Sequence, residues 1–495
     1  MDFIKLKERI DYVGQLLLNL PLLQVCLGFC FGIMLGNFGL GTEIIFGMAV
    51  NLVFLSLIIK GKLKYTLTLV IIAVSMLVGF WRFDVFAGEA KMERVAGGYG
   101  ITVNRLQVVS VPEKGSYNKK ARVVGGKFRG MAIASFPRTS EIHYGDVVEG
   151  EFLLEEPEMV EDFDYKEYLR TQGVFYRIKV NQGFWVVDHK KSFFERIALF
   201  REDLSIRVRK ILPEPHASLA AGLVWGERAS MPEAFAQNLS NTGTTHIIAV
   251  SGFNVSVIVL LLLRLAGTIH RRYVVLLTVF LLFCFLVLVG FDNLPAMRAG
   301  IMGYTVLFSK SIGRKTSILS LLSVAVLVLC LINPLSIFTV SFQLSFAATL
   351  GIVGLSKTIE SNSIVKRHEK LLGEFPATFA AILLTTPVSM FNFETFSVVA
   401  LFVNMLVLPV VTILTFYSAI VVGISLVSMT LAKIIAFPLI ITMNYVIGVI
   451  DFFGQLPFSS VQVQGMTGWL VIFVYTLMLV IMTEISFKNK ERFVD

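Results

Sequence analysis

The residues whose types could do chemistry are concentrated in one short run, residues 243–254. This run combines hydroxyl, imidazole and amide side chains, including His246, Ser251 and Asn254, and it leads directly into the apolar residues 255–263. Unpaired polar groups are costly in hydrocarbon, so a polar cluster at the mouth of an apolar helix needs an explanation. Two explanations are open: a polar helix start at the bilayer interface, or one wall of a polar passage through the membrane.

Catalysis by this run would require His246 and Ser251 to act together, as in a rhomboid-like intramembrane serine protease. Such a pair needs the imidazole within hydrogen-bond reach of the hydroxyl. Residues five apart on a straight helix are turned about 140° from each other, which keeps the two side chains apart. The sequence also has no Walker A motif, no GxGxxG before a helix and no HExxH motif. We therefore predict no catalytic residues, no metal and no cofactor.

The composition indicates a membrane protein with many spans. Of the 495 residues, 55% are hydrophobic and only 16% are charged, and the mean hydropathy is +0.74. No soluble globular protein needs so much apolar sequence. The four cysteines all lie in apolar segments, so we expect neither a disulfide framework nor a metal site.

Hydropathy predicts about twelve transmembrane helices, each near the ~20 residues that cross a bilayer. Three come first and nine follow a polar region, at residues 21–40, 44–59, 65–83, 245–265, 274–290, 294–308, 317–332, 335–355, 375–391, 398–425, 431–453 and 467–485. Loops rich in Lys and Arg alternate with loops that have almost none. Because cytoplasmic loops carry the excess of positive charge, both termini are expected in the cytoplasm and the polar region outside it.

The polar region, residues 85–190, has short apolar runs that alternate with polar residues and glycines. Five or so such strands in ~100 residues predict a small all-β, OB-like barrel. The stretch 114–138 carries only positive charge, from residues that include Lys119, Lys120, Arg122, Lys127 and Arg129. With aromatic residues between them, these cations could bind a nucleic-acid backbone. The alternative is a solvated edge hairpin whose charge prevents edge pairing.

The remaining boundaries follow from composition. Residues 1–84 form N-terminal membrane helices, and residues 191–242 form an amphipathic helix and two short helices. The amphipathic helix, at 192–212, is too charged to span, so we expect it on the outer membrane surface. Residues 243–487 form the second membrane bundle, and residues 488–495 a cytoplasmic tail.

Three polar residues are predicted inside the second bundle: Arg298, Gln343 and Asn404. Intramembrane ionisable groups usually face a bundle interior or water. Arg298 alone could instead snorkel from a helix end, and Gln343 or Asn404 alone could make an ordinary interhelical hydrogen bond. As a set, the three favour a polar path between helices.

Taken in order, several motifs resemble the ComEC family, the inner-membrane DNA-uptake channel of bacterial natural competence. The first resembles the end of the family's OB-like domain, and the others resemble parts of its competence domain. They are FDYKEYL at 163–169 with Gly173, GLVWGER at 222–228, GTTHIIAVSG at 243–252, PAMRA at 295–299, and NPL at 333–335 with SFQLSFA at 341–347.

The resemblance implies that single-stranded DNA passes through the competence-type bundle into the cytoplasm, across the bacterial inner membrane, during natural transformation. DNA and membrane lipid are the implied partners; a DNA receptor, a separate nuclease, a cytoplasmic DNA translocase and a second copy of the chain are further candidates. The path would include the polar residues named above. The alternative is a transporter of another polar solute on a related helical bundle.

Two departures from the family pattern stand out. Asn254 occupies a position where the family commonly has a histidine. Many family members also carry a C-terminal metallo-β-lactamase-like domain, whereas this chain ends shortly after its last predicted span. We therefore expect any degradation of the second strand to need another protein.

Overall fold

A computed structural model gives the fold of the chain. It describes residues 20–58, 63–89, 101–114, 118–125, 130–155, 157, 165–180, 183–227, 231–248, 271–290, 293–311, 317–360, 375–463, 465 and 467–478. These residues form two compact units, one of residues 21–203 with 323–339, and a larger one that contains 204–322 and 340–478. Each unit is described by itself.

Most of the helices fall near positions that the sequence predicts, whereas the short helix Tyr165–Thr171 was not predicted. The helices are α1 (Pro21–Asn37), α2 (Thr42–Ile58), α3 (Leu63–Glu89), α4 (Tyr165–Thr171), α5 (Phe193–Ile211), α6 (His216–Trp225), α7 (Glu233–Asn241), α8 (Thr245–Ile248), α9 (Arg271–Val289), α10 (Leu294–Ser311), α11 (Ile318–Ile332), α12 (Val340–Glu360), α13 (Phe375–Phe393), α14 (Ala400–Val427), α15 (Met429–Gly454) and α16 (Gly468–Met478). The predicted span at 245–265 is described only as far as Ile248; the rest lies outside the described residues.

Four of the described helices are long and apolar enough to cross a membrane: Lys64–Ala87 within α3, and α13, α14 and α15. Other apolar helices among the described residues, including α1 and α11, are 10–17 residues long. The mostly helical architecture therefore fits the predicted membrane class. The number of about twelve crossings stays a prediction.

In the smaller unit, α1 packs closely on α3 because small residues let the two backbones approach. A Cβ added at Gly32 would overlap the carbonyl oxygen of Met76, and one added at Gly79 would overlap that of Phe29. Small residues at helix contacts are typical of packing in membranes, where burial of apolar surface gives no driving force between helices.

The predicted β region is a small closed barrel. Its strands are β1 (Ile101–Val108), β2 (Glu113–Lys114), β3 (Asn118–Gly125), β4 (Met131–Pro137), β5 (Asp146–Glu155), β6 (Val174–Val180) and β7 (Trp185–His189). Hydrogen bonding runs β1-β3-β4-β6-β5, and β5 closes the barrel on β1. The pair β4–β6 is parallel and the others are antiparallel. The alternating residues predicted to point inward fill the core, among them Phe136, Phe152 and Ile178. Strand β7, which pairs with β5, was not predicted.

The NPL motif joins the barrel to the helices of the same unit. The Asn333 side chain accepts a hydrogen bond from the backbone N–H of Leu335 at 3.0 Å and donates one to the carbonyl of Thr171 in α4 at 2.8 Å. Arg82 of α3 donates to the carbonyls of Leu331 and Ile332, each at 2.9 Å. Last-turn carbonyls of a helix have no partner within it, so Arg82 satisfies the end of α11.

The helix predicted at 192–212 forms as α5. Phe193, Phe200 and Ile206 are exposed, whereas Leu204 and Val208 are buried in the core of the larger unit. One face of its C-terminal half therefore packs against other helices. The position of α5 on the membrane surface stays a prediction.

A histidine clamp joins the barrel to the start of α5. His189 Nδ1 lies 2.7 Å from Asp146 Oδ1, and its Nε2 lies 2.8 Å from Glu195 Oε1. Ionised carboxylates only accept hydrogen bonds, so both contacts are satisfied only when the imidazole is protonated at both nitrogens. The hydrogen bond to Asp146, followed by that to Glu195, raises the pKa of His189 above its ordinary value of 6.5. The His189 hydrogen bond also lowers the pKa of Glu195 below 4.5.

This clamp predicts a pH-dependent junction. The raised pKa of His189 gives a contribution to stability that is complete below pH 6.5 and is lost as pH rises through the raised value. Hydrogen exchange over residues 189–200 of the full chain, corrected for its intrinsic pH dependence, should therefore accelerate several-fold as pH rises through that pKa. His189→Gln should abolish this pH-dependent increase in the exchange rate.

The control is His143→Gln, because His143 is largely exposed and its ring lies 3.9 Å from the same Asp146 carboxylate. That variant should keep the pH-dependent increase in the exchange rate. Equal pH dependence in wild type and His189→Gln would contradict the clamp.

Candidate functional site

The candidate site is built around helix α6, which is buried at all ten of its residues. It packs in the core of the larger unit together with α14 and α15. These two helices form an antiparallel pair: the Tyr417 hydroxyl donates to the Ile435 carbonyl at 2.8 Å, and the Tyr445 hydroxyl to that of Leu406 at 3.4 Å. This short, wholly buried helix beside two candidate spans places residues 222–225, the start of the GLVWGER motif, inside the bundle.

The segment that contains α6 runs from one end of the α14–α15 pair to the other. Arg207 donates to the carbonyl of Ser425 at 2.9 Å, at the end where α14 leads into α15. Asn241 donates to the carbonyl of Gly454 at 3.0 Å, at the opposite end. Asn238 and Asp451 bond there too, at 2.8 Å.

Glu227, in the GLVWGER motif, forms hydrogen bonds with the C-terminal half of α5. Its carboxylate accepts hydrogen bonds from Trp225 Nε1 at 3.0 Å, from Arg209 Nη2 at 2.8 Å and from the Ser205 hydroxyl. Trp225 is 1% exposed. Sequence reasoning quoted this motif but gave Glu227 no role. The contacts show that Glu227 holds α5 and α6 together.

The two motifs at 222–228 and 243–252 meet in space. Gly222 of α6 lies against Ile248 of α8, and a Cβ added at Gly222 would overlap Ile248 Cγ2. Gly243 has a φ of +66°, a left-handed conformation that favours glycine, and it lies against Ala400 at the start of α14. Both glycines are needed for these close approaches.

The predicted polar run divides into a buried side and an exposed side. Thr242 and Thr244 are fully buried, and their hydroxyls bond to each other at 2.7 Å. His246 is exposed, and its Nδ1 lies 3.1 Å from the carbonyl of Gly243. Ser251 and Asn254 lie outside the described residues. Thr242 and Thr244 are therefore structural, whereas His246 is accessible.

Arg298 is buried without a counter-ion. It is 9% exposed in α10, donates to the Thr349 hydroxyl of α12 at 2.7 Å, and lies 5.6 Å from the ring of Phe346. Met302 Sδ is a further weak acceptor, at 3.8 Å. Within the described part of the chain, no carboxylate lies in ion-pair range of Arg298, and its Nε has no partner.

The other predicted path residues occupy two regions. Gln343 is partly buried near the start of α12, the helix that Arg298 contacts. Asn404 of α14 is 1% exposed, and its Oδ1 has no partner among the described residues. Arg298 and Gln343 thus belong to neighbouring helices, whereas Asn404 belongs to the core around α6.

Sequence reasoning missed His216. Its Nε2 lies 2.7 Å from Asn444 Oδ1 of α15, and its Nδ1 is buried without a partner among the described residues. The available signal was a lone histidine after Pro215, at the start of an apolar run.

The described part of the predicted basic stretch is largely engaged within the barrel. Lys119 donates to the carbonyl of Ser140 at 2.5 Å, and Arg122 Nη2 to Gln172 Oε1 at 3.1 Å. Lys120 is exposed. The other two predicted DNA-binding residues, Lys127 and Arg129, lie outside the described residues. Among those described, no cluster of His, Cys, Asp and Glu could hold a metal ion.

The Gly222–Ile248 contact generates a stability prediction. Gly222→Ala should lower the free energy of unfolding by about 1–3 kcal/mol, because the added methyl group overfills a packed core. Combining it with Ile248→Ala should cost less than the sum of the two single changes, since the smaller side chain makes room. Thermal unfolding in detergent measures both effects.

The matched control is Gly423→Ala in α14, where nothing lies within 4 Å of the added Cβ. It should not lower stability, because the added methyl group meets no neighbour and Ala has a higher helix propensity than Gly. Strict additivity of the Gly222 and Ile248 substitutions would contradict the contact.

Comparison with known proteins identifies the family. The sequence model of the Competence protein family matches residues 223–488, more than half of the chain. ComE operon protein 3 of Bacillus subtilis (strain 168) is 25% identical over 256 residues, which cover 50% of this chain and 32% of that protein. The match thus spans about a third of the relative's length, and no solved structure matches the chain. With α8, Arg298 and Asn404 inside the matched region, the chain belongs to the Competence protein family.

Proposed function

We propose that this chain forms the channel through which single-stranded DNA crosses the cytoplasmic membrane during natural transformation. Family membership supports a role in DNA uptake. The observation that carries the proposal is the buried guanidinium of Arg298, which has no carboxylate partner in the described part of the chain. A buried charge without a counter-ion is unfavourable unless another group compensates it. A phosphodiester backbone in transit supplies the missing negative charge.

Further polar groups in the larger unit support a path. Asn404 Oδ1 and His216 Nδ1 are buried without partners among the described residues. Buried polar atoms normally have a partner in protein or water. Passing water or solute would satisfy them, as expected for groups beside a polar passage. In this proposal the chain transports and carries no catalytic step.

The proposed topology places the entrance at the end of the bundle that contains His246. That end also contains the start of α14 and Gly454 of α15. The adjoining loops hold Glu394 and Gln455 and almost no Lys or Arg, as expected outside the cytoplasm. About twelve crossings with both termini in the cytoplasm complete this arrangement. His246 would then be among the first bundle groups that an incoming strand meets.

The barrel is proposed to be an OB-like domain that presents DNA on the outer face. The closed order β1-β3-β4-β6-β5, with one parallel pair, supports this assignment. Five-stranded closed barrels of this kind commonly bind oligonucleotides. A DNA receptor, a separate nuclease and a cytoplasmic translocase are the proposed partners.

Replacing Arg298 tests the proposal. Arg298→Met, which removes the charge and keeps much of the volume, should reduce DNA uptake at least about tenfold (~1.4 kcal/mol). The same change should leave thermal stability equal or higher, because it removes an uncompensated buried charge. Uptake of labelled DNA by cells that carry only the variant gives the first quantity, and unfolding of the purified protein gives the second.

Arg298→Lys is the control, because it keeps a cation at the same place and should retain most of the uptake. Normal uptake by Arg298→Met would overturn the proposed role. Loss of stability in parallel with uptake would assign Arg298 to the packing of α10 against α12 instead.

A further inference from the structure

The barrel has an open groove on the face formed by β1, β5 and β7. It encloses about 630 Å³, within the range of small-molecule sites. Trp185 of β7 lines it and is 59% exposed. Asn104 and Arg105 of β1 and Glu149 and Glu151 of β5 complete its polar lining. Of the basic residues predicted to bind DNA, the three that the structure describes, Lys119, Lys120 and Arg122, do not line this groove.

The groove exists because the strands are irregular at this point. Val103 pairs with Phe152 and Arg105 pairs with Glu149, so β5 has one more residue than β1 between these pairs. Such a bulge bends the strand and opens the sheet beside it. Gly150 lies in the bulge, where a Cβ would come within 3.0 Å of Phe184 Cβ. Gly183, just before β7, has a φ of +115°.

The pairing register brings three side chains into one row. Arg105 pairs with Glu149, and Glu149 pairs with Trp185. Directly paired residues on neighbouring strands lie on the same face of a sheet. The Arg105 guanidinium lies 3.7 Å from the Glu149 carboxylate. The exposed indole therefore stands beside an ion pair and not beside a free cation.

The charges decide which part of a nucleic acid can enter. One arginine and two glutamates give the lining a net negative charge, and the arginine is already paired. A phosphate would be repelled. An unpaired base is uncharged, stacks on an aromatic ring, and offers edge groups that Asn and Glu side chains can bond.

We infer that this groove holds one unpaired nucleobase of the incoming strand, stacked on Trp185, with the Asn104 amide at its edge. The inference rests on the proposed function and names a contact that the basic stretch cannot make. Because the contact is made to a base, it requires a single strand and depends little on salt. The phosphates are bound elsewhere on the protein, with Lys120 as an exposed candidate.

The test compares two oligonucleotides of equal length and charge, oligothymidine and its abasic analogue, on the full-length protein in lipid nanodiscs. Trp185→Ala should weaken oligothymidine binding about tenfold, since stacking contributes about 1–3 kcal/mol per base. It should leave abasic binding unchanged. Trp185→Phe should retain most of the affinity. The fold loss in oligothymidine affinity caused by Trp185→Ala should be the same at high salt. The fold loss caused by Lys120→Gln should become smaller at high salt.

Trp469→Ala is the matched control, because Trp469 is also exposed and lies outside the barrel. Equal losses on both oligonucleotides, or no loss on either, would overturn the base site while DNA binding by the protein stands. If Trp185 fluorescence is quenched by brominated lipid and oligothymidine affinity is unchanged, the indole docks on lipid and the inference is wrong. Failure of the wild type to bind either oligonucleotide would count against the proposed function itself.

Discussion

The physical constraint on which this structure depends is the need of every buried polar atom for a partner. Where the chain supplies one, the polar residue is structural: Glu227 receives three donors, and Thr242 and Thr244 bond to each other. Where it supplies none among the described residues, as at Arg298 Nε and Asn404 Oδ1, the atom is a candidate for contact with a passing solute in the proposed channel. The division separates scaffold from candidate path within one bundle.

Close packing at glycines makes the scaffold possible. Helix α6 can be buried along its whole length only because Gly222 admits Ile248. In the smaller unit, Gly32 and Gly79 bring α1 and α3 together in the same way. Helices in lipid gain no apolar burial from association, so their specificity comes from shape and from hydrogen bonds. Substitution of such glycines is therefore expected to affect assembly before it affects chemistry.

In the barrel, the basic residues and the exposed aromatic residue lie in different places. Its basic strand β3 uses Lys119 and Arg122 for contacts inside the domain, which leaves less cationic surface than the sequence suggests. Its exposed aromatic residue stands in a separate, slightly acidic groove. If both regions meet the same strand, backbone attraction and base stacking act at different places. A non-specific contact can then hold a moving strand without binding it tightly at any one point.

The sequence by itself determined the membrane class, the approximate position of most described helices, the small β domain and the family, because hydrophobic period and motif order are local properties of the chain. It also named Arg298 and Asn404. It could not show that His216 meets Asn444, or that His189 bridges Asp146 and Glu195, since these residues are far apart in the chain or lie on different elements. It predicted the amphipathic helix α5 but could not show that Leu204 and Val208 pack in the core of the larger unit, because a helical stripe shows which face is apolar and not what covers it. Only the tertiary structure shows which polar groups have partners. This difference separates the scaffold from the candidate path.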